Sequence, residues 1–128
     1  MSFDVYLEYP PCATCGCDGH SGGSFNLTHN VNTIVDRCLV AGGATKAKRD
    51  EAGYAERSWG RLDGWTGAEA LPIVTAAVVA AHDVARLEEF KALEPENGWG
   101  SLESVQRCLT ELLEMCATHP KARIRTSG

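Results

Sequence analysis

The sequence predicts an α+β fold: a small two- or three-stranded sheet, made from the N- and C-terminal strands, packed with about three helices. Three observations predict it. Apolar and polar residues alternate over 3–9, they alternate again over 122–126, and between these stretches apolar residues recur at helical spacing.

Phe3, Val5, Leu7 and Tyr9 fall on one face of the first stretch, and Asp4, Tyr6 and Glu8 on the other, as in a half-buried strand. Pro10 and Pro11 end it, because neither can donate to a ladder. Residues 12–24 are rich in Cys, Gly and small polar residues with no period, which reads as a loop. Val31, Ile34, Val35, Cys38 and Leu39 mark a helix, capped by Thr28 or Asn30 and stopped by Gly42-Gly43. A charged loop follows at 43–57.

A Gly-punctuated segment, Trp59-Gly60-Arg61-Leu62-Asp63-Gly64-Trp65, leads into Thr66-Gly67-Ala68-Glu69. Thr followed three residues later by Glu is a capping box. It opens a helix whose apolar positions include Leu71, Val74, Val78, Ala81 and Ala85. Pro72 lies too deep to be the first helical residue, so the first turn is separate or the helix kinks there. The helix or its continuation is expected to reach about Leu93. Ser101 caps the last helix. Its buried stripe is Leu102, Val105, Leu109, Leu112 and Cys116, with Glu111 and Glu114 facing away as solvated charge. His119-Pro120 stops it. Ala122, Ile124 and Thr126 then alternate with Arg123 and Arg125, a terminal strand expected to pair with residues 3–9.

A chain of 128 residues is expected to form a single domain, 1–128. It can bury about two-thirds of its extended surface, enough for a core without staples. The formal charge of -5 argues against binding a nucleic-acid backbone, which needs a basic face. The apolar run Leu71 to Ala81 is too short to span a bilayer, and no basic-then-apolar leader is seen at the start. The expectation is a soluble cytoplasmic protein with no membrane partner. In that compartment six cysteines read as thiols or metal ligands rather than disulfides.

The chain resembles a family of small proteins found in actinobacterial phages, prophages and their hosts. The resemblance is carried by Phe3-Asp4-Val5-Tyr6-Leu7-Glu8 and by the Asn26/Thr28/Asn30 pattern running into a helix. It continues in Leu62-Asp63-Gly64 followed by Ala68-Glu69-Ala70-Leu71-Pro72. Its most specific part is Phe90-Lys91-Ala92-Leu93-Glu94-Pro95-Glu96-Asn97-Gly98-Trp99-Gly100. It closes with Leu112-Leu113-Glu114-Met115-Cys116 and His119-Pro120-Lys121-Ala122-Arg123-Ile124. The resemblance implies a phage or prophage setting, hence the host cytoplasm, and a shared fold. It implies no particular reaction. Members of that family commonly lack the cysteines of residues 12–17, so a metal there is a local staple rather than the shared function.

Four groups of residues could carry chemistry. Cys12-Ala13-Thr14-Cys15-Gly16-Cys17 has the shape of a zinc knuckle, whose turn aims two thiolates at one ion. Cys17, with His20 or His29, could complete a tetrahedral structural site; the alternative is a cysteine-rich loop without metal. Cys38, Cys108 and Cys116 lie on helical stripes and read as small core residues. Asn26, Thr28, His29 and Asn30 could hydrogen-bond a ligand, although capping and turn-making is the favoured role for these residue types. His29 is a candidate general base. Trp99, flanked by Asn97 and two glycines, is read either as a stacking residue for a ligand or partner, or as a lid on the core. Trp59 and Trp65, with Arg57 and Arg61 nearby, allow the same two readings. Sequence searches find no phosphate-binding Gly-rich loop, no nucleophile elbow and no His-Glu-x-x-His.

The leading functional expectation is a non-enzymatic accessory protein that binds a host protein, for host takeover or counter-defence. A small-molecule binder that sequesters a nucleotide-type immune signal is the first alternative. A small zinc- or His29-dependent hydrolase is the second. Homo-oligomer formation is compatible with all three. For the cysteine loop, native mass spectrometry of protein purified without chelator is expected to show one bound zinc, lost in Cys15→Ser. A metal-free mass for the wild type would remove the zinc site.

Overall fold

A computed structural model describes residues 2–9, 21–44, 58–95 and 100–127. The fold is α+β. Its elements are β1 (Ser2–Glu8), β2 (Ser21–Thr28), α1 (Asn32–Ala41), α2 (Gly67–Ala81), α3 (Leu87–Ala92), α4 (Leu102–Thr118) and β3 (Arg123–Ser127). The N- and C-terminal strands pair as the alternation predicts, and β2 adds a third strand, giving the antiparallel order β2-β1-β3.

A period of two sorts the strands' side chains between two faces. Val5 pairs with Phe25 and Thr126, and Leu7 with Ile124. Val5, Leu7, Leu27 and Ile124 are buried against the helices. Asp4, Tyr6, Glu8, Ser24, Asn26, Arg123 and Arg125 take the other face, exposed or half-exposed. There Asn26 Nδ2 donates to Asp4 Oδ1 at 2.6 Å, and Arg125 lies 3.4 Å from Glu8.

Several expectations are corrected. Residues 21–24 are the first half of β2 rather than loop. They carry no apolar residue, and main-chain pairing with β1 defines them, with a register shift between Tyr6 and Glu8. The cap position of α1 is Val31 rather than Thr28 or Asn30: it makes no side-chain bond, and a 3₁₀ turn, His29–Val31, feeds the helix directly. Among the described residues there are four α-helices, close to the three or so expected. The expected run to Leu93 breaks after Ala81, where Asp83 Oδ1 accepts the Ala85 N–H at 3.0 Å and starts a 3₁₀ turn before α3. The axis bends by 65° there. Pro72 lies inside α2 on its exposed side. Of the loops expected at 12–24 and 43–57, residues 12–20 and 45–57 fall outside the described residues. No single described helix is long and apolar enough to cross a membrane.

The termini of α2 and α4 follow their sequence signals. A helix leaves its first four N–H groups without intrahelical partners. In α2 all four are taken. Thr66, at the cap, donates to Glu69 Oε1 at 3.1 Å, Gly67 to the Ala122 carbonyl at 2.8 Å, Ala68 to that of Pro120 at 2.9 Å and Glu69 to Thr66 Oγ1 at 3.2 Å. The Thr66 and Glu69 bonds close the capping box. In α4, Ser101 Oγ accepts from Ser104, and Glu94 Oε1 accepts the Leu102 N–H at 3.1 Å.

The core lies between the sheet's inner face and α1, α2 and α4. Trp59 and Phe90 are its largest fully buried side chains, and Trp59 meets Phe25 edge to face with ring centres 5.1 Å apart. Each large apolar side chain fully buried there contributes roughly 1.5–3 kcal/mol.

Backbones approach closely where α2 meets the end of α4. A Cβ at Gly67 would lie 2.5 Å from the His119 carbonyl oxygen. Gly67→Ala is therefore expected to cost about 1–3 kcal/mol, and Thr66→Ala about 1 kcal/mol through the lost cap. Urea denaturation measures both; a Gly67→Ala curve superimposing on wild type would refute the close packing.

Candidate functional site

The residues singled out in the sequence do not gather in one place. Cys12, Cys15, Cys17, His20, Asn97 and Trp99 lie outside the described residues, as do the side chains of Thr28 and His29. Among the described residues no group of three or more His, Cys, Asp or Glu is placed to hold a metal ion. Asn26 stands on the outer face of the sheet, bonded to Asp4, and Asn30 is exposed in the 3₁₀ turn before α1. Trp59 is 1% exposed, so it is a core ring and presents no surface to a partner. Trp65 is half-buried against the core. Cys38, Cys108 and Cys116 are buried free thiols, as expected. Burial pushes Cys38 up to about 12 and Cys108 and Cys116 up to about 11, which keeps them protonated and unreactive near neutral pH.

Arg61 joins a polar cluster at the start of α1. Its Nε donates to Asp36 Oδ1 at 2.6 Å. Ser58, in the 3₁₀ turn Ser58–Leu62, donates its N–H to the same oxygen at 2.9 Å and its hydroxyl to Asn32 Oδ1 at 3.2 Å. Asn32, Thr33, Asp36 and Ser58 line a small cavity of about 150 Å³. Burial raises the Asp36 pKa, but the hydrogen bonds from Arg61 and Ser58 and the charges of Arg61 and Arg37 outweigh it, so the carboxyl sits below the usual carboxylate range. Arg61 is thus engaged by the Asp36 carboxylate.

A larger groove, about 390 Å³ and open to solvent, lies between β2 and the C-terminal half of α4. Gly23 and Ser24 form one wall; Glu111, Glu114, Met115, Thr118 and His119 form the other. Spacings of three and four put Glu111, Glu114, Met115 and Thr118 on one stripe of the helix. Gly23 adopts a left-handed φ of 106°, and a Cβ there would meet Met115 Cγ at 3.3 Å, so glycine lets the thioether lie against the strand. His119, beside the groove, is held by Tyr9: the tyrosine oxygen and His119 Nδ1 are 2.7 Å apart, with the rings edge to face.

The sequence reading missed this groove because its walls are far apart in the chain and the first half of β2 was taken as loop. The available signal was the Glu111/Glu114/Met115/Thr118 stripe, of which Glu111 and Glu114 were read only as facing away from the core. Chemically the groove offers two carboxylates, a polarisable thioether, and hydroxyl and imidazole groups. That set suits a cationic or polar segment better than a phosphate.

In comparisons with known proteins, the chain matches no family model, no curated protein and no solved structure.

The Asp36 cluster makes stability depend on pH. Its folded pKa lies below the unfolded value. The unfolded state therefore binds more protons in that window, and stability rises with pH there. The contribution is complete above the ordinary aspartate pKa of about 4 and is lost as pH falls through the lower folded value. Asp36→Asn is expected to flatten the acid limb of a stability–pH curve and to cost about 1 kcal/mol at pH 7. Parallel wild-type and variant curves below pH 4 would refute this.

Proposed function

We propose that the protein is a non-enzymatic accessory protein of phage or prophage type that acts by binding a host protein, in host takeover or counter-defence. The observation that carries this reading is the open groove between β2 and α4. Small-molecule sites enclose most of their ligand. A groove open to solvent instead suits a segment of another protein, whose side chains can enter it. The exposed sheet face with Asn26 and the exposed Asn30 supply further area for the same partner, and Trp99 is proposed as a further contact. The Cys12, Cys15, Cys17 and His20 set is proposed as a structural zinc staple that leaves the binding surface to the rest of the domain.

The nucleotide-binding alternative has less behind it, because Arg61 is ion-paired with Asp36. Affinity-tagged protein in host lysate is expected to retain a host protein above an untagged control. That protein, once purified, should co-elute with it as a complex of fixed stoichiometry. Retention of nothing above the control would sink this reading.

A further inference from the structure

We draw no further inference here: the strongest candidate, the exposed and uncharged face of α2 around Pro72, Thr75 and Val79, is an apolar helix face, and nothing in the structure shows what covers it.

Discussion

The fold depends on a seam of hydrogen bonds between residues 63–68 and residues 120–126. Gly64 N–H donates to the Ile124 carbonyl at 2.8 Å, and Ile124 N–H returns a bond to Trp65 at 2.7 Å. Gly67 and Ala68 donate to Ala122 and Pro120, and Arg123 Nη1 reaches the Gly64 carbonyl at 2.8 Å. Asp63, only 1% exposed, accepts the Thr126 N–H at 2.9 Å. A buried carboxylate is costly unless hydrogen-bonded, so this contact fixes where the segment can sit. The seam ties the N-terminus of α2 to β3, and so joins the helical layer to the sheet. It also accounts for the glycines of this stretch. Gly64 has a left-handed φ of 85°, and Gly67 lies where any side chain would strike α4.

The same contacts set the groove. The end of α4 has two sides: Cys116 and the His119 carbonyl press on Gly67, while Met115, Thr118 and the rest of His119 face β2. Tyr9, at the end of β1, holds the His119 ring. The wall bearing Glu114 and Met115 is therefore backed by packed structure. A rigid wall favours binding, because little ordering entropy is lost when a partner arrives.

Where a local rule dictated structure, the sequence was easy to read. The alternation of Val5 and Leu7, and of Ala122, Ile124 and Thr126, identified two strands because burial on one face needs a period of two. Thr66/Glu69 and Ser101 marked helix starts because capping is a bond between near neighbours in sequence. What escaped depended on distant partners. Ser21–Ser24 has no apolar pattern, and only β1 makes it a strand. The break after Ala81 was hidden by apolar spacing that continued through Ala85, although Ala85 is exposed in the structure. The site suffered most from this. Trp59 and Arg61 looked like binding residues by type, yet one fills the core and the other pairs with a carboxylate twenty-five residues away.

The two cavities differ in what their polar groups already do. Ser58 holds a left-handed φ of 50°, which costs of order 1 kcal/mol in a residue with a side chain. The strain has an internal explanation: the Ser58 N–H and hydroxyl both find acceptors on α1, and the turn they anchor drives Trp59 into the core. Its cavity is thus the by-product of a fully used cluster, in which Asp36, Arg61, Ser58 and Asn32 stabilise one another. The groove has no such closure. Tyr9 and His119 support its edge, and Glu111 and Glu114 are exposed and make no hydrogen bond or ion pair among the described residues. Polar residues whose partners lie within the fold, as in the Asp36 cluster, need no ligand to account for their placement.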